Sequence, residues 1–262
     1  MTFRPAAPVL ALALVLPLAA CAGSGAKTRA DTQYVARDVN TLYSLAKRRL
    51  DQRRYAEAAA VFDEVERQHP YSIWARRAQL MSAFSYYAAK DYTKSTESAR
   101  RFLAIHPGNR DAPYAHYLIA LNFYEQIEDV TRDQSITRQA MDSLNELVRR
   151  YPNTRYASDA RLKVDLVRDH LAGKEMEVGR FYQRRGQWLA SVQRFRMVID
   201  EYQTTSHAPE ALMRLTESYL ALGIPEQARQ SAAVLGANYP NTKWYERAYN
   251  LVQRHSPATP AA

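Results

Sequence analysis

The chain of 262 residues has one cysteine, Cys21, so no internal disulfide can form and no cysteine-ligated metal site is available. Glycine is scarce at eight residues, and none of them builds a phosphate-cradling loop. The six histidines are His69, His106, His116, His170, His207 and His255. They include no His-Glu-x-x-His and no pair at helix-face ligand spacing, so no metal centre is expected. Beyond residue 20 no apolar run is long enough to cross a bilayer. Acid is also in deficit: 27 Asp and Glu stand against 36 Lys and Arg, a net charge of +9. The acidic pairs Glu64/Glu66 and Glu175/Glu177 lie among arginines on helical segments, so surface charge accounts for them. Neither a cofactor nor catalysis is expected. A basic excess suits nucleic acid, anionic lipid or acidic protein.

The N-terminus carries a positive residue, Arg4, and then the apolar run Leu10–Leu18, which has the length of a signal-peptide core. The run leads into Leu18-Ala19-Ala20-Cys21. These four residues resemble the lipobox of bacterial lipoproteins; an ordinary secretory signal with a chance cysteine is the alternative. The resemblance implies cleavage before Cys21 and acylation of that residue. Several acyl chains would anchor the protein stably, where one chain binds only marginally. Ala22 is not acidic, which by the same resemblance directs the protein to the outer membrane. Residues 22–37 read as a polar tether. An envelope location argues against nucleic acid as a partner. The arginine pairs Arg48-Arg49, Arg53-Arg54, Arg76-Arg77, Arg100-Arg101, Arg149-Arg150 and Arg184-Arg185 are scattered as solvated helix faces are.

Between tether and tail runs a repeat. Units close at Pro70, Pro107, Pro152 and Pro240, and a further one closes at Gln203 without proline. Eight residues before each close stand Phe62, Ala99, Leu144, Phe195 and Ala232. Twelve before stand the small residues Ala58, Ser95, Ala140, Ser191 and Ala228. Each unit reads as two amphipathic helices, A and B, with the small residue where B approaches A and proline stopping B. One pair cannot bury its apolar face alone, so pairs stack. The expected fold is all-α: a tetratricopeptide solenoid of five helix pairs in a right-handed superhelix, over 38–71, 75–109, 112–153, 157–205 and 208–241. Unit three carries an insert at 126–133, and helix A of unit four runs unbroken from 157 to 184, with Gly173 its weak point. The organisation is then 1–20 signal, 21–37 lipidated tether, 38–153 units one to three, 154–250 units four and five, and 251–262 flexible tail.

More specific sequences lie within this frame. They include His69-Pro70-Tyr71-Ser72, His106-Pro107, Tyr114-Ala115-His116-Tyr117, Arg150-Tyr151-Pro152-Asn153-Thr154-Arg155-Tyr156-Ala157 and Gly186-Gln187-Trp188. With the lipobox, their order and spacing resemble the BamD family of outer-membrane β-barrel assembly lipoproteins. The resemblance implies a non-enzymatic periplasmic scaffold. Its C-terminal repeats would bind the last POTRA domain of BamA, and its N-terminal repeats would take the terminal strands of unfolded outer-membrane proteins. Other Bam lipoproteins would dock beside it. A periplasmic adaptor for peptidoglycan or cell-division proteins is the alternative.

Helix A should line the concave face. That places Asn40, Tyr43, Lys47 and Leu50 there, then Arg77, Leu80, Phe84 and Tyr87, then Tyr114, Tyr117, Leu121 and Tyr124. Tyrosine offers apolar area, a polar tip and a low ordering cost. The substrate-side candidates are Tyr43, Lys47, Arg77, Leu80, Phe84 and Tyr87, matched to a strand that ends in aromatic residues and a carboxylate. For BamA, Arg194 should point outward beside buried Phe195 and reach an acidic group, with Arg180 and Arg184 as further candidates.

Overall fold

The computed structural model describes residues 38–255, and every regular element among them is an α-helix. In chain order these are α1 Val39–Asp51, α2 Tyr55–Gln68, α3 Ile73–Ala88, α4 Tyr92–Ile105, α5 Ala112–Tyr124 and α6 Ser135–Arg150. The long α7 Arg155–Arg184 follows, then α8 Trp188–Glu201, α9 Ala208–Ala221, α10 Pro225–Asn238 and α11 Lys243–His255. Signal, tether and Cys21 lie outside the described residues, as do residues 256–262.

The five small positions, Ala58, Ser95, Ala140, Ser191 and Ala228, are completely buried, and so are Phe62, Ala99, Leu144 and Phe195. The apolar core is a chain of five clusters rather than one. Each cluster joins the two helices of one unit to the first helix of the next. Leu42, Ala46, Ala58, Phe62 and Val65 close on Ala78 of α3, for example, and Ala172, Met176, Val192 and Phe195 close on Ala211 and Leu215 of α9. This is the nearest-neighbour stacking of a solenoid.

The same logic explains α11, which the repeat frame does not contain. Leu212, Met213, Ala232 and Leu235 of the fifth pair need a helix on their open side, and Ala248 of α11 supplies it. Lys243, Glu246, Arg247, Asn250 and Arg254 are exposed on α11, beside a half-exposed Tyr249. The expected tail is therefore corrected at its start, since 251–255 form the last turn of α11.

The stops are local chemistry. The B helices end at His69, His106, Tyr151, Tyr202 and Tyr239 with φ between −137° and −129°. Tyr202 adopts this geometry although Gln203 replaces the usual proline. The hydroxyl of Thr205 donates to the Tyr202 carbonyl at 2.7 Å, as Thr154 does to Tyr151 and Thr242 to Tyr239, both at 2.9 Å. The threonine turn closes the unit where the ring is absent. On the opposite edge, each A–B turn uses a left-handed residue two before helix B. These residues are Arg53 at φ 59°, Lys90 at 61°, Gly186 at 70° and Gly223 at 73°. Unit three replaces this turn with its insert, held to α7 where the Lys174 ammonium donates to the carbonyls of Thr131 at 3.0 Å and Arg132 at 3.2 Å.

Helix α7 is continuous through Gly173, as expected, and at 30 residues is about 45 Å long. Its first half packs with α5 and α6 through Ala160 and Val167, and its second half with α8 and α9 through Met176. Gly173 is a close approach rather than a weak point: a Cβ there would lie 3.2 Å from His207 Nε2 and 3.4 Å from Val130.

Candidate functional site

A concavity of about 680 Å³ opens between α1, α3 and the α4–α5 turn, lined by Tyr43, Arg76, Arg77, Leu80, Met81, Phe102, Asn109, Arg110 and Asp111. Ser72 caps α3 by accepting from the Ala75 amide at 3.0 Å, and this fixes the first turns of α3, which present Arg76, Arg77 and Leu80. Tyr43 projects from the second turn of α1. Its ring lies 4.6 Å from Trp74 and meets Phe62 edge-on at 5.5 Å. Burial pushes the Tyr43 phenol above its ordinary pKa, and the nearby Arg77 charge partly offsets that rise. The hydroxyl is therefore a neutral donor at physiological pH.

The Arg77 guanidinium sits 5.4 Å above the Trp74 ring, a cation–π contact that orients it without neutralising it. Arg110 is 93% exposed and lies 3.8 Å from Asp111, the cleft's one acid. Three guanidinium groups thus flank a floor of Leu80, Met81 and Phe102. Such a site can hold an aromatic or aliphatic side chain against the floor and a carboxylate between arginines.

Of the six substrate-side candidates, the structure gathers Tyr43, Arg77 and Leu80. Lys47 is exposed and does not line the cleft. Phe84 and Tyr87 are half-buried against the cluster of Ala83, Phe102 and Leu118, and the Tyr87 hydroxyl donates to Glu125 at 3.3 Å. Burial, then the Glu125 charge, raises the Tyr87 phenol to about 12. The aromatic run of unit three is likewise committed to packing. Tyr114 stacks 5.4 Å from Tyr156, Tyr117 donates to Asp159 at 2.6 Å, and Leu121 is buried. The sequence frame missed Arg76 and the Asn109-Arg110-Asp111 turn. The polar run directly after Pro107 was the available signal, because a B–A turn lies beside the start of the previous helix A.

In units four and five, Arg194 does not simply point outward. It turns onto α7 and donates to Glu175 at 3.0 Å, with 39% of its side chain still exposed. Arg180 bridges Glu177 at 3.1 Å and Glu210 at 3.2 Å. Arg184 lies 3.7 Å from Glu177. Arg214 extends this lattice to Glu210 and Glu217. All three C-terminal candidates are thus already paired. A guanidinium has five N–H donors, so Arg194 keeps unused ones facing solvent.

Among the described residues no helix is long and apolar enough to cross a membrane. A family model described as outer membrane lipoprotein, YfiO, matches residues 35–235. The chain is 49% identical over 249 residues to the outer membrane protein assembly factor BamD of Caulobacter vibrioides, covering 95% of this chain and 81% of that protein. It is 44% identical to BamD of Rickettsia prowazekii, covering 88% and 92%. Among solved structures, a thermophilic TPR protein of Thermus thermophilus aligns at 17% identity with a TM-score of 0.38, over 83% of this chain and all of that one. With its repeat frame, its helix pairs, the family model over 35–235 and the two BamD relatives, the chain belongs to the YfiO family of outer membrane lipoproteins, the family of the BamD assembly factors.

Proposed function

We propose that this protein is a non-enzymatic scaffold of outer-membrane β-barrel assembly, held by lipid on Cys21 at the periplasmic face of the outer membrane. In this reading the N-terminal cleft takes the terminal strand of an unfolded outer-membrane protein. Units four and five bind the POTRA domain of BamA, with Arg194 offering its unused donors to an acidic group. Other Bam lipoproteins dock on the remaining surface. The membership of the family supports the assembly role.

The observation that carries the substrate side is the cleft itself, where an apolar floor is flanked by Arg76, Arg77 and Arg110 against one aspartate. The test is fluorescence anisotropy of the full chain with a labelled peptide ending in phenylalanine, carrying either a free carboxylate or a terminal amide. The account expects the free acid to bind more tightly, and Arg77→Ala to remove the difference. Equal binding of acid and amide would contradict it.

A further inference from the structure

In units one and two the α2–α3 and α4–α5 turns, which join one helix pair to the next, lie on one edge, and the α1–α2 and α3–α4 turns within pairs lie on the other. The chain enters on the inter-pair edge: Asp38 caps α1 there by accepting from the Thr41 amide at 3.1 Å. The same edge of units one and two carries apolar side chains that no neighbour covers. Tyr71 is fully exposed in the α2–α3 turn, Ile73 opens α3 at 62% exposure, and Ile105 closes α4 at 60%. Beside them, Arg76 and Arg110 are exposed. The cleft shows that the start of α3 and the α4–α5 turn share this edge, since Arg76 and Arg110 both line it.

We infer that this edge of units one and two rests against the phospholipid surface, Tyr71, Ile73 and Ile105 entering the interfacial layer and Arg76 and Arg110 meeting anionic headgroups. The inference rests on the reading that Cys21 is acylated. Cys21 and Asp38 are 17 residue steps apart, so the chain between them spans at most about 60 Å. The chain enters the body at Asp38 on this edge, so an anchored Cys21 holds the edge within reach of the lipid surface. Tyrosine and isoleucine suit that boundary, tyrosine with its hydroxyl at headgroup level. Each arginine adds attraction to anionic lipid over distances below a Debye length. The stack gives these three side chains no packing role, and a lipid surface within reach gives them one.

The test uses the acylated full-length protein in vesicles of phosphatidylethanolamine and phosphatidylglycerol. With Cys21 blocked by lipid, single cysteines at Tyr71→Cys and Ile105→Cys accept a nitroxide label, as do controls at Gln52→Cys and Thr93→Cys on the opposite edge. The expected result is that labels at 71 and 105 collide with oxygen dissolved in the acyl region and lose access to an aqueous nickel complex, while those at 52 and 93 stay aqueous. Labels at 71 and 105 as aqueous as the controls would overturn the inference. So would shielding that appears only in whole envelopes and not in vesicles, which would mean that a protein covers this edge. Mass spectrometry of the N-terminal peptide separates the failures. An unmodified Cys21 sinks the anchoring reading, and this inference with it; an acylated Cys21 with aqueous labels sinks this inference alone.

Discussion

Replacing Gly179 with alanine sets two effects of known sign against each other. Helix propensity alone favours alanine by about 1 kcal/mol inside a helix such as α7. The packing opposes it. A Cβ on Gly179 would lie 2.5 Å from Cε1, 2.8 Å from Cδ1 and 2.9 Å from Cζ of Phe195. Phe195 is completely buried among Met176, Val192, Val198 and Leu215, so its ring has no vacant place to occupy. Helices α7 and α8 would have to part by about 1 Å to restore ordinary contact. Overpacking of this kind costs about 1–3 kcal/mol, so the net change is a loss of up to about 2 kcal/mol. Urea titration followed by far-ultraviolet circular dichroism measures it, with midpoint and slope compared separately because a stack can unfold in steps. Phe195→Leu in the alanine background should recover part of the loss, which a double-mutant cycle isolates. A Gly179→Ala protein more stable than the parent would refute the packing reading, as would zero coupling to position 195. The result bears on function, since Arg180 and Arg194 adjoin these two residues and their ion pairs would shift when the helices part.

Other outcomes follow from the same structure. Lys90→Gly should stabilise by about 0.5 kcal/mol, because relief of the left-handed conformation at φ 61° outweighs the extra freedom of the unfolded chain; a loss of stability in the same urea assay would contradict this. Partial burial by itself would raise the Asp91 carboxyl, but hydrogen bonds and charge from Lys94 overcome it and hold the group below its usual range. Its folded value is depressed, so its contribution is present above about pH 4 and is lost as pH falls through the folded value. The stability difference between the parent and Asp91→Asn should therefore shrink on acidification, and thermal melts showing a constant difference would argue against it. Arg194→Ala should cost about 1 kcal/mol or less, as a half-exposed pair does, while reducing affinity capture of a POTRA-bearing barrel protein from detergent-solubilised membranes. A folded variant that captures the barrel undiminished would remove Arg194 from the interface.

The frame of helix pairs was legible because it is written in residue size. Ala58, Ser95, Ala140, Ser191 and Ala228 recur at one position of the frame, and all five are completely buried. Helix α11 was not legible as part of the stack. Among the described residues no helix follows it, and it carries no unit signature; its place is set by the open side of Leu212, Met213 and Leu235. The cleft was half legible. Tyr43, Arg77 and Leu80 share the helix-A face, but Arg110 arrives from a turn more than thirty positions along the chain. Phe84 and Tyr87 occupy that same face and are nonetheless taken up by packing against unit three, because face periodicity does not say which neighbour covers a side chain. Arg194 shows the same limit. Its spacing from Phe195 gave its side of α8, and only the fold brings Glu175 of α7 within 3.0 Å.

Photocrosslinking in living cells tests the account most directly. A benzoylphenylalanine at position 43, whose ring already lines the cleft, samples the proposed strand site, and one at position 194 samples the proposed BamA face. The account predicts adducts with newly exported, unfolded barrel proteins from position 43 and adducts with BamA from position 194. Adducts with cell-wall enzymes at both positions, or barrel substrates captured only at 194, would contradict it.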